Sequence, residues 1–128
     1  MITCAMCDDE LPFAEQLRSF VMAYAKKRRV ELQAETFASA EELLEEIENG
    51  AGFEILFLDI EMRKMDGIEL GKKLRERSYQ TLIIYVSGYD QYMRQLFEAE
   101  PFRFLSKPLK QEELENVLDK AFERISRF

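Results

Sequence analysis

Short apolar runs alternate with longer stretches of helical periodicity along the whole chain, and the alternation predicts five strand–helix units. Residues 2–7 read as a buried strand, and about 11–29 as a helix carrying Leu11, Phe13, Leu17, Phe20, Val21 and Tyr24. Residues 30–37 alternate as a strand does. Ser39 opens a second helix, with Glu42 three positions on to complete a capping box, and Asn49-Gly50 ends it after about Glu48. Residues 53–58 are apolar apart from Glu54, as a central parallel strand covered on both faces would be. Asp66-Gly67 turns into a third helix over about 68–77. A fourth strand is predicted over 81–86, a fourth helix over 91–98, and a short fifth strand over 102–105 after Pro101. Leu114, Val117, Leu118, Ala121 and Ile125 then recur at helical spacing on a last helix.

Such a chain is of the α/β class: a parallel sheet with right-handed crossovers and helices on both faces. The order of the strands is not contained in this pattern. Its 128 residues suit one domain over 1–128 that buries about two-thirds of its unfolded surface.

Composition narrows the chemistry. There is no histidine, which removes imidazole bases, Ser–His and Cys–His pairs and His-containing zinc sites. The net charge of −7 repels phosphate backbones, so direct nucleic-acid binding by this chain is not expected. No apolar run approaches the roughly 20 residues of a membrane span, and the apolar start lacks a basic leader and a small-residue cleavage site. Cys4 and Cys7 stand three apart on one predicted strand and so point to opposite faces. They are expected to be buried free thiols, in keeping with a cytoplasmic protein. The basic run Lys26-Lys27-Arg28-Arg29 falls where the first helix ends, and cations there complement the helix dipole.

In open parallel sheets, ligands bind beyond the carboxyl ends of the strands. Four of the five predicted strands run into polar residues there: Asp8-Asp9-Glu10, Asp59, Ser87 and Lys107. Each alone could be a helix cap, a turn or a solvated loop residue. Together, parallel strands would gather them on one edge. Several carboxylates cannot share a pocket ionised without a counter-charge, and Mg²⁺, a hard cation taking oxygen ligands, is the natural resident. A carboxylate can attack phosphorus, while a lysine and a hydroxyl steady the transferred group. None of this needs histidine.

At this point the residues resemble a known family. Cys7-Asp8-Asp9-Glu10, the stretch from Phe57 through Asp59 to Met62, Met65-Asp66-Gly67, Val86-Ser87-Gly88-Tyr89 and Ser106-Lys107-Pro108 resemble the response-regulator receiver domain of two-component signalling. The resemblance covers essentially the whole chain. Asp59-Ile60-Glu61-Met62 and Ser87-Gly88-Tyr89-Asp90 are most similar to receivers that precede a LytTR-type DNA-binding domain. It implies a flavodoxin-like three-layer sandwich of five β–α units with strand order 2-1-3-4-5. It implies Asp59 as phosphoacceptor, and Asp8, Asp9, the Asp59 carboxylate and the backbone carbonyl of Glu61 as the Mg²⁺ ligands. Lys107 would pair with phosphoryl oxygens through a loop whose bond to Pro108 is often cis. Ser87 would be the hydroxyl that moves to the phosphate, and Phe104 the aromatic that turns inward with it. Glu61 and Tyr89 stand where the family tunes phosphoryl lifetime, though both could be plain rim residues.

The implied function is a switch. A sensor histidine kinase donates the phosphoryl group, and the domain changes shape to control an output, transcription in this subgroup. The domain would catalyse only its own phosphorylation and dephosphorylation. Arg63 departs from the proline common in the family, which implies a looser loop and a cation near the site. The subgroup resemblance favours an output domain beyond Phe128. Tyr92, Met93 and Arg94 on the predicted fourth helix are candidates for homodimer pairing, for kinase contact or for ordinary surface. A receiver-fold module that is never phosphorylated is the alternative, and the full set of Asp8, Asp9, Asp59, Ser87 and Lys107 argues against it. A phosphatase of the haloacid dehalogenase type would need a second aspartate where Glu61 stands.

Overall fold

A computed structural model describes residues 1–88 and 99–126 of the chain. Within them the elements are β1 (Ile2–Cys7), α1 (Leu11–Arg28), β2 (Leu32–Phe37), α2 (Ala40–Glu48), β3 (Ile55–Asp59), α3 (Gly67–Glu76), β4 (Leu82–Ser87), β5 (Arg103–Ser106) and α4 (Gln111–Ile125). The helix expected over 91–98 lies outside the described residues, so α4 is the last helix of the sequence reading.

All strand pairs are parallel, and the order is β2-β1-β3-β4-β5. Alternation along each strand sorts its side chains into two cores. Ala5, Leu56, Leu58, Ile83 and Tyr85 pack under α2 and α3, while Cys4, Met6, Ile55, Phe57, Ile84 and Val86 pack under α1 and α4. This is the expected three-layer sandwich. Cys4 and Cys7 are free, buried and in different cores.

Local signals act where the sequence placed them, within a few residues. Ser39 Oγ accepts the Glu42 N–H at 3.1 Å, the first of the two bonds of the expected capping box. Gly50 takes φ +102° just past α2. Asp66 caps α3 by accepting the Glu69 N–H at 2.8 Å. The basic run does end α1, and it also ties α1 to α4: Lys27 pairs with Glu115 at 3.0 Å and Arg28 with Asp119 at 3.1 Å. Tyr24 adds a 2.7 Å hydrogen bond to the same Asp119. Among the described residues no helix is long and apolar enough to cross a membrane.

Candidate functional site

Register puts the polar strand ends side by side. Cys7 pairs with Leu58, Asp59 with Val86, and Ser87 with Ser106. One step further along each strand, Asp8, Asp59, Ser87 and Lys107 therefore share the carboxyl edge of the sheet, and Asp9 begins the loop into α1. Asp8, Asp59 and Ser87 are only 3%, 6% and 2% exposed, which water-seeking groups tolerate only with partners.

One carboxylate oxygen from each of Asp8, Asp9 and Asp59 lies within 4.8 Å of the others. Asp8 Oδ1 accepts the Glu10 N–H at 2.8 Å, and Asp8 Oδ2 accepts from Lys107 Nζ at 3.1 Å. The same ammonium is 3.6 Å from Asp59 Oδ1. It also sits 4.1 Å from the centroid of the Phe13 ring, whose face attracts a cation. The Lys107 N–H donates to the Ser87 carbonyl at 3.0 Å, and the Lys107–Pro108 bond is cis.

The charges do not balance. Burial, reinforced by Asp8, pushes the Asp59 carboxyl up to about 7, against the pull of Lys107. Burial raises Asp8 as well, opposed by the Glu10 N–H and Lys107. Burial works to lower Lys107, but Asp59 and Asp8 outweigh it and hold the ammonium above its ordinary value. Among the described residues, one cation against three close carboxylates leaves room for a divalent one. The donors are all oxygens, two are buried and Asp9 is open to solvent, a set that fits a hard cation keeping some of its waters.

The loop from β3 to α3 forms the rim. The Arg63 N–H donates to Asp9 Oδ2 at 3.3 Å, and the Met65 N–H to Glu41 Oε2 on α2 at 3.0 Å. Between them Lys64 takes φ +62°. The Gly67 N–H closes the loop on the Ile60 carbonyl at 3.0 Å, and a Cβ at Gly67 would strike the Asp59 carbonyl. Beside the rim is an open groove of about 710 Å³ lined in part by Asp9, Glu61, Arg63 and Lys64. A larger groove of about 870 Å³ opens at the amino ends of β4 and β5, among Arg75, Phe102 and Arg103, away from the carboxylates.

The structure thus brings Asp8, Asp9, Asp59 and Lys107 together, with Ser87 one register step away. Glu61 is exposed at the rim, and its N–H is hydrogen-bonded to the Asp59 carboxylate. Phe104 is half-buried on β5 and packs against the core under α2 and α3. Tyr89, Tyr92, Met93 and Arg94 lie outside the described residues. Three participants escaped the sequence reading: Phe13, taken there only as a core residue, Glu41, and the backbone N–H of Arg63.

Residues 5–119 match the response regulator receiver domain. The chain belongs to that family. This receiver domain is 27% identical over 125 residues to an uncharacterised response regulatory protein of Vibrio cholerae, covering 98% of this chain and 46% of that one. It is 26% identical over 132 residues to the sensory transduction protein LytT of Bacillus subtilis, covering 99% of this chain and 50% of LytT. The receiver spans about half the length of these curated relatives. LytT among them agrees with the LytTR-type subgroup. The crystal structure of the response regulatory domain of mrkE from Klebsiella pneumoniae superposes with a TM-score of 0.88 at 17% identity, covering 99% of this chain and 100% of that one. That likeness establishes the fold.

Proposed function

We propose that the unit formed by residues 1–128 accepts a phosphoryl group on Asp59 from the phosphohistidine of a sensor kinase and passes the change to an output. The observation that carries the reading is Lys107 Nζ poised 3.6 Å from Asp59 Oδ1 inside a pocket of three carboxylates. In the transfer, a bond forms between an Asp59 carboxylate oxygen and phosphorus as the nitrogen–phosphorus bond of the donor breaks. Asp8, Asp9, Asp59 and the Glu61 carbonyl would hold Mg²⁺, which supplies positive charge to the phosphoryl oxygens. Lys107 leaves Asp8 to pair with one phosphoryl oxygen. Ser87 hydrogen-bonds another, and Phe104 turns toward the space that Ser87 vacates, which biases a two-state equilibrium.

The domain catalyses only its own modification and its reversal. The net charge of −7 speaks against this domain itself holding DNA, and the LytT likeness supports transcription as the output. Free buried thiols suit work in the cytoplasm. Incubation with acetyl phosphate and MgCl₂ followed by intact-mass measurement tests the reading. Wild type should gain the mass of one phosphoryl group and Asp59→Asn none. A wild type of unchanged mass would point instead to a receiver-fold binding module that is never phosphorylated.

A further inference from the structure

The β3–α3 loop must present the Glu61 carbonyl beside Asp9 for the proposed metal site to be complete. The core holds Ile60 and Met62 on either side of Glu61, but the turn just beyond them, at Arg63 and Lys64, puts no side chain into it. Arg63 and Lys64 are exposed, and Lys64 adopts a left-handed φ of +62°, a conformation that costs a residue with a Cβ. The Gly67 N–H bond to the Ile60 carbonyl closes the loop from within, and contacts from outside reinforce the turn. Two acceptors from other elements supply them. Asp9 takes the Arg63 N–H at 3.3 Å, and Glu41 takes the Met65 N–H at 3.0 Å, so the two bonds bracket Lys64.

The two acceptors are not equivalent. Asp9 is committed to the acidic cluster, and its bond is the longer one. Glu41 stands in the first turn of α2, a rigid helix anchored by Leu43, Leu44 and Ile47 in the core and capped by Ser39. Its carboxylate is held ionised chiefly by the Met65 N–H, with Lys64 adding its charge nearby. An ionised acceptor makes the stronger kind of hydrogen bond. Met65, whose N–H it receives, packs its side chain against the same core as α2. The loop is therefore clamped to α2 through both the backbone and the side chain of Met65.

We propose that Glu41 is a positioning residue for the divalent cation: its hydrogen bond to the Met65 N–H fixes the β3–α3 loop so that Glu61 and Asp9 are presented together. The inference rests on the metal-binding reading above. Glu41 itself is not a ligand; it acts on the cation through the loop. Removing a group bonded directly to a metal ligand typically weakens binding by 10- to 100-fold; Glu41 acts one step further out, through Met65, so the lower figure is expected.

The test is calorimetric titration of wild type, Glu41→Ala and Glu41→Gln with MgCl₂, beside amide hydrogen exchange at Met65. Glu41→Ala should weaken Mg²⁺ binding about tenfold and speed exchange at Met65. Glu41→Gln, which keeps an acceptor oxygen but loses the charge, should stay within about threefold of wild type, since one neutral hydrogen bond replaces a charged one. Equal weakening in both variants would mean that charge alone matters, and would overturn the proposal. So would an Ala variant that melts earlier yet binds Mg²⁺ as wild type does. Failure of wild type to bind Mg²⁺ would instead sink the metal site itself.

Discussion

Lys107 holds Asp8 more closely than it holds Asp59, at 3.1 Å against 3.6 Å. The lysine expected to serve the phosphoryl group therefore spends the resting state neutralising a buried carboxylate of the proposed metal site. Its removal should first be felt as a loss of stability. Lys107→Ala leaves two buried carboxylates facing each other, and should cost about 1–2 kcal/mol without metal, less than a fully buried pair because the lysine is partly solvated. Urea unfolding in EDTA measures this. Added Mg²⁺ should recover most of the loss, and an undiminished deficit in Mg²⁺ would show that the lysine is doing something other than charge balance.

Stability of the metal-free domain should carry a pH signature from Asp59. Its folded carboxyl titrates at about 7, above the ordinary 3.8, so between those values the folded state holds a proton that the unfolded chain releases. Raising pH through this window favours unfolding. The contribution is present at low pH and lost by about pH 7. In EDTA, the melting temperature of wild type should fall relative to Asp59→Asn as pH rises from about 5 to 8. A constant difference between the two would remove the strained carboxylate from the picture.

Mg²⁺ should stabilise the fold without any phosphoryl donor. At ten times its dissociation constant a ligand adds about 1.4 kcal/mol, which moves the melting temperature by on the order of 5 °C in a domain this size. Asp9→Asn should blunt the shift by removing the solvent-facing carboxylate of the cluster. Scanning fluorimetry with MgCl₂ and with NaCl at matched ionic strength reads the difference.

Gly67 couples the start of α3 to the strand that carries Asp59. A methyl group there would meet the Asp59 carbonyl, which is backbone and cannot swing away. Gly67→Ala should lose about 2–3 kcal/mol in urea unfolding and slow phosphorylation by acetyl phosphate even where the domain is fully folded. Full activity in a folded variant would show that Asp59 tolerates a shift of its own backbone.

Much of this was legible in the chain. Runs such as Ile55 to Leu58 and the recurrence of Leu114, Leu118 and Ala121 carry their own periodicity, so the elements and the two faces followed from it. Strand order did not, because pairing Cys4 with Ile55 rather than only with Ala34 is a long-range choice that local pattern does not encode. The co-location of Asp8, Asp59, Ser87 and Lys107 needed only parallel topology. Phe13, Glu41 and the Arg63 N–H stayed hidden for a different reason. Phe13 fits the apolar face of α1 equally well without a lysine above it. Glu41 looks like any acidic residue in the first turn of a helix, and its partner is a backbone N–H with no sequence signature.

The assignment of Asp59 is open to direct chemical reading. Borohydride reduces an acyl phosphate to an alcohol, so the chain treated with acetyl phosphate and Mg²⁺, then reduced and digested, should carry homoserine at position 59. The conversion should vanish in EDTA. Homoserine formed from Asp8 or Asp9 in place of Asp59, or no conversion in a chain that binds Mg²⁺, would contradict the proposed role of Asp59.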